Sequence, residues 1–77
     1  MKSISDIKQR EVFVEWVREM LDDQTINGDD NFLDIGGNSL LAIELIARYE
    51  HEYGVKISML NLLQSSIDEA LINSQTV

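Results

Sequence analysis

From Ser39 to Tyr53 the chain runs without a glycine or a proline, and its apolar residues fall at helical spacing. Ala42, Leu45, Ile46, Tyr49 and Tyr53 form one stripe, enough for a side that faces a core. Leu40, Ile43 and Ala47 form a neighbouring stripe, Leu41 adds to the apolar girth of the first two turns, and Gly54 stands where a C-terminal cap is needed. A helix apolar over so much of its circumference is either buried on several sides at the centre of a small core or keeps a second apolar face for a partner. The rest of the chain must pack around it.

That rest is short. The chain has 77 residues, enough for one core and too few for a second, so residues 1–77 are expected to form a single domain. Without cysteine it has no disulfide framework, no thiolate metal site and no cysteine nucleophile. Hydrophobic residues make up 44% of it and proline is absent, which suits a compact helical protein. Residues 5–21 read as a first helix, with Ile7, Phe13, Val14, Val17, Met20 and Leu21 inward, Trp16 beside them, Ser5 as N-cap and Asp6 at the positive end of the dipole. Residues 22–38 are a long loop of turn formers in which Ile26 is the lone large apolar residue before Phe32, Leu33 and Ile35, and these three are expected to tie the loop to the core. A short helix is expected at 58–63. A last one at 66–73 opens on a capping box, Ser66 with Glu69, and turns Ile67, Ala70 and Leu71 inward. The expected fold is all-α: a small antiparallel bundle of three main helices plus one short helix. So small a bundle has no room for a deep, walled active site, which favours a module over an enzyme.

Charge narrows the partners. Fourteen Asp and Glu against six Lys and Arg give a formal net charge of −8, so nucleic acid is a poor partner. The acidity serves either solubility alone or docking onto basic partner surfaces that must release quickly. No stretch approaches the roughly 20 apolar residues of a membrane span, and the start, Met1 to Asp6, lacks the apolar run of a secretory signal. A cytoplasmic monomer with no membrane partner is expected.

Catalytic signals are few. His51, between Glu50 and Glu52, has no second histidine or nucleophile nearby and reads as a solvated surface residue. Asp23, Thr25, Asn27, Gly28 and Asp34 match positions of a calcium-loop template in part, but Thr is a weak ligand and Asp34 stands where a bidentate Glu is wanted. No metal site is expected from them. The remaining feature is Gly36-Gly37-Asn38-Ser39, where the long loop becomes the apolar helix. The paired glycines leave the approach to Ser39 free of side chains, and a phosphate ester there meets unpaired N–H groups at the positive end of a helix. Ser39 either caps the helix or carries such a group. Asn38 can take the capping role and leave the Ser39 hydroxyl facing outward.

The run Phe32-Leu33-Asp34-Ile35-Gly36-Gly37-Asn38-Ser39-Leu40-Leu41-Ala42 resembles the phosphopantetheine attachment motif of peptidyl carrier proteins, relatives of the acyl carrier proteins. The resemblance extends from the first helix through the acidic loop to the last helix. Asn38 stands where that family usually has Asp or His, Ile35 where it has Leu, and Leu62 to Ser66 replace a stretch that commonly has Phe and Pro. The resemblance implies a non-catalytic carrier with 4'-phosphopantetheine attached covalently to Ser39, flanked by Gly36, Gly37, Asn38 and Leu40. It implies as partners a phosphopantetheinyl transferase, an adenylation or acyltransferase enzyme, and condensation, tailoring or thioesterase enzymes of nonribosomal peptide synthesis. Leu40, Leu41, Ile43, Ala47, Met59 and Leu60 are the residues expected to face them. The alternatives are a fatty-acid or polyketide acyl carrier, a carrier-like module that is never modified, and a calcium-binding helical protein. A freestanding carrier and a domain excised from a large synthetase would share this sequence pattern.

Overall fold

In the computed structural model, which describes residues 4–76, the apolar segment forms α2 (Ser39–Tyr53), and α1 (Ile4–Leu21), α3 (Met59–Gln64) and α4 (Ile67–Ile72) gather around it. The side chains of residues 1–6 and 75–77, Ser5 and Asp6 among them, lie outside those described. α2 buries Ala42, Leu45 and Tyr49 against α1 and the later helices. Its second stripe does not enter the core: Leu40, Ile43 and Ala47 face outward. Gly54 ends the helix at φ 64, a left-handed conformation that costs a residue without Cβ nothing, and its N–H donates to the Glu50 carbonyl at 2.8 Å.

α1 contributes Phe13, Val14 and Val17, all buried, at the spacing that places them on one face. The helix already begins at Ile4, so Ser5 lies inside its first turn and not at the cap. Ile7 is half-exposed, against expectation. At that level α1 meets its neighbours through polar groups instead, with Tyr49 Oη donating to Gln9 at 3.1 Å and Arg10 pairing with Asp68. The helix closes in a Schellman arrangement: Asp22 adopts φ 52, its N–H donates to the Glu19 carbonyl and the Asp23 N–H to the Arg18 carbonyl. Trp16 stacks with Tyr53 between α1 and α2, and the Arg48 guanidinium lies 4.1 Å from the Trp16 ring centroid.

The long loop is held along its length. Ile26 is buried, and its carbonyl accepts from Arg18 Nε at 2.8 Å. Phe32 is fully buried, Ile35 packs against the core, and Leu33, expected to do the same, is instead half-exposed. The Asn31 side chain clasps two segments: Nδ2 donates to the carbonyls of Leu63 and Ser65, and Oδ1 accepts from the amides of Leu33 and Asp34. The amides of Ile67 and Asp68 donate to the carbonyls of Asp30 and Gly28, so the loop satisfies the start of α4. Gly28 is buried here, and a Cβ on it would overlap Asp68 Oδ1 and an Arg10 nitrogen, so the position has room for glycine alone. Ser58 and Ser66 cap α3 and α4 by accepting from the amides of Asn61 and Glu69.

The architecture is all-α apart from one addition that periodicity did not announce. β1 (Val55–Lys56) pairs antiparallel with β2 (Gln75–Thr76), in the register Val55 with Thr76 and Lys56 with Gln75. Two residues are too few for an alternating pattern, and the partner strand is far away in sequence.

Candidate functional site

The site is built on a buried ring. Phe32 fills the core beneath the turn that enters α2, and its carbonyl accepts from the Gly37 amide at 2.9 Å. Gly37 lies flat on that ring: a Cβ there would sit 2.4 to 2.6 Å from three ring carbons. Gly36 is required for the other reason, a φ of 102°, with open space where its side chain would be. One glycine answers packing and the other backbone geometry.

Asn38 follows in an extended conformation, φ −150 and ψ 176, and its Oδ1 accepts from the Leu41 amide at 3.0 Å. Its carbonyl accepts from Ala42, the first bond of the helix. Ser39, the first residue of α2, is thereby spared the capping role; it is exposed, and no neighbour among the described residues takes up its hydroxyl. The first turn of α2 contains no acidic residue, although the chain has 14 of them. An exposed hydroxyl at the positive end of a helix, with no carboxylate in that turn, fits a covalently tethered, phosphate-bearing group.

Outward of Ser39 the second stripe is open to solvent. Leu40 is 67% exposed, Ile43 50%, and Leu60 on α3 61%, while Ala47 is exposed as well. Leu41 and Met59 are half-buried and pack on the core. Between α2 and the β1–α3 segment lies an apolar groove of about 310 Å³, with Ile43, Ile46 and Ala47 on one side, Ile57 and Met59 on the other, and Glu50 and Lys56 at charged positions along it. The sequence pattern singled out Ile43, Ala47 and Met59 of these. Glu50, Ile46 and Lys56 escaped it because a stripe count does not reveal which residues border a groove between segments. Leu33 escaped as a surface residue because its apolar character reads as core.

The other candidates fall elsewhere. His51 is exposed in the last turn of α2. Asp23 Oδ1 accepts from Thr25 Oγ1 at 2.6 Å and from the Thr25 amide at 2.9 Å, and these bonds hold its carboxyl below the usual carboxylate range. The Asn27 amide is taken by Asp30, and the Gly28 carbonyl by Asp68. Among the described residues, no group of three or more histidine, cysteine, aspartate or glutamate side chains converges to hold a metal ion. No described helix is long and apolar enough to cross a membrane.

Residues 10–70 match the sequence profile of the phosphopantetheine attachment site. The chain is 37% identical over 57 residues to a dimodular nonribosomal peptide synthase of Bacillus subtilis (strain 168), covering 74% of this chain and 2% of that protein. It is 36% identical over 53 residues to surfactin synthase subunit 1 of the same organism, covering 69% of this chain and 2% of that one. The chain thus spans about one-fiftieth of the length of these relatives. No solved structure matches it. The matched span includes the Phe32-to-Ala42 turn and all of α2 to α3, so the chain belongs to the phosphopantetheine attachment site family, whose cofactor is covalently bound 4'-phosphopantetheine.

Proposed function

We propose that the chain is a thiolation domain of nonribosomal peptide synthesis, a carrier that catalyses nothing itself, and that Ser39 is its attachment residue. The observation that carries this reading is the division of labour at the start of α2: Asn38 caps the helix, and Ser39 keeps a free, exposed oxygen. When bound, the cofactor supplies a thiol on which an aminoacyl or acyl group is held as a thioester. Ser39 supplies the oxygen that bears the phosphodiester. Gly36 and Gly37 keep the approach open, and the Phe32 ring fixes the turn.

The partners in this reading are a transferase that acts on Ser39 and enzymes that load and unload the arm, in the cytoplasm. Leu40, Ile43, Ala47 and Leu60 form the contact patch, with Leu41 and Met59 at its base, and the surrounding acid favours fast, reversible docking onto basic surfaces. Incubation with coenzyme A, magnesium and a broad-specificity phosphopantetheinyl transferase will add one phosphopantetheine to the parent and none to Ser39→Ala, read by intact mass. No gain in the parent with several active transferases would replace the proposal with an unmodified interaction module. In the modified protein, Ile43→Asp leaves the fold intact and slows loading; unchanged rates with each loading enzyme would remove Ile43 from the patch.

A further inference from the structure

The Asn38 side chain has two polar ends, and the fold uses one of them. Oδ1 accepts from the Leu41 amide at 3.0 Å, and the Asn38 carbonyl accepts from the Ala42 amide at 2.9 Å. One residue thereby satisfies two of the four leading N–H groups that a helix cannot satisfy by itself. The other two, on Ser39 and Leu40, meet no acceptor among the described residues. Asn38 is exposed, and its Nδ2 donates to nothing among the described residues. Because a carboxamide is planar, the bond that anchors Oδ1 also fixes the direction of Nδ2, on the residue next to Ser39. No carboxylate stands in the first turn of α2 to take up these donors.

We infer that Nδ2 of Asn38 donates to the phosphodiester on Ser39 while Oδ1 keeps the helix cap, a role that rests on the carrier reading of Ser39 above. Asparagine and aspartate are caps of equal strength and the same shape, and they differ in what they offer a neighbouring phosphate. Asparagine offers an N–H donor, aspartate a second negative oxygen. In the unmodified chain the positive end of α2 favours aspartate. A phosphodiester on Ser39 is ionised at every working pH and occupies that same positive end, so an aspartate on the adjacent residue would repel it. The preferred residue at position 38 therefore changes with modification, and Asn38 suits the modified form.

The test compares the full chain with Asn38→Asp, each before and after treatment with coenzyme A, magnesium and a broad-specificity phosphopantetheinyl transferase, with intact mass reporting the modified form. At low salt Asn38→Asp is expected to melt about 1–8 °C above the parent when both are unmodified, and below the parent when both are modified. That reversal is expected to fade at about 1 M salt, where screening acts within a few ångströms. A residue that only caps would shift both forms alike, so an aspartate gain that survives modification undiminished would overturn the role given to Nδ2. In the parent, the Asn38 side-chain amide protons, followed by NMR, are expected to move downfield on modification and to exchange more slowly with water. Unmoved signals would overturn that role without any variant, so the test stands even where the transferase rejects Asn38→Asp. Mass gain with unmoved signals removes this role and spares the carrier reading; no mass gain in the parent removes both.

Discussion

Replacing Gly37 by alanine separates two physical roles that adjacent glycines perform. At Gly37 the backbone does not require glycine; the objection is the Phe32 ring, three of whose carbons would lie 2.4 to 2.6 Å from the new methyl. That ring is fully buried and cannot step aside without disturbing the core, so the substitution is an overpacking change of about 1–3 kcal/mol. At Gly36 the added methyl meets nothing, and the cost is the left-handed φ alone, about 1–2 kcal/mol. The totals overlap, so stability alone does not distinguish the mechanisms. A double-mutant cycle does. Phe32→Leu makes room for the Gly37→Ala methyl and does nothing for the Gly36→Ala backbone, so the first pair is expected to couple by 1 kcal/mol or more and the second to add within about 0.5 kcal/mol. Urea denaturation followed through Trp16, the single tryptophan, gives the midpoints; each kcal/mol corresponds to roughly 4–8 °C in melting temperature for a domain of this size. Additive free energies for Gly37→Ala with Phe32→Leu would refute the claim that the entry to α2 is moulded on that ring.

Asn38→Ala is expected to cost about 1 kcal/mol in the unmodified protein through loss of the Leu41 cap, whereas Asn38→Asp keeps the acceptor, adds a charge at the positive helix end and gains about 0.3–1 kcal/mol at low salt, measured by thermal melts at two ionic strengths. Gly28→Ala should push Asp68 and Arg10 apart and lose their partly exposed ion pair, worth about 0.5–1 kcal/mol, so in an Asp68→Ala background the same substitution should cost measurably less. The Asp23 carboxyl titrates below its unfolded value because it accepts from Thr25, so its contribution to stability is present above the unfolded pKa and disappears as pH falls through the folded one. Thr25→Val removes the hydroxyl bond, and the Asp23 carbon resonance should then titrate at higher pH; an unmoved midpoint would mean the hydroxyl bond is not its cause.

Much of this was legible in the sequence where one residue type has one physical job. The helical period of α2, the capping box at Ser66 and Glu69, and the Asn38 cap that frees Ser39 each follow from local chemistry, whereas the period left open whether Leu40, Ile43 and Ala47 are core or surface, and packing decides for surface. What was not legible depends on distant partners. Leu33 and Ile7 have core character but no neighbour comes to cover them, and no periodicity reports that. Gly28 reads as a turn former, yet its small size is demanded by an ion pair between α1 and α4. The β1–β2 ribbon joins segments whose pairing no local pattern encodes.

The Asn31 clasp carries a consequence for how the protein ages. Its Nδ2 faces two carbonyl oxygens, and its Oδ1 faces two amides. Slow hydrolysis of that one amide to the acid would leave the shape of the side chain unchanged and keep the two accepted bonds. The two donated bonds would be replaced by a negative oxygen pressed against the carbonyls of Leu63 and Ser65, prying the loop that leads to Ser39 away from the junction of α3 and α4. A preparation would thus lose the posture of the turn that enters α2 in storage, through a change of one mass unit at a single side chain.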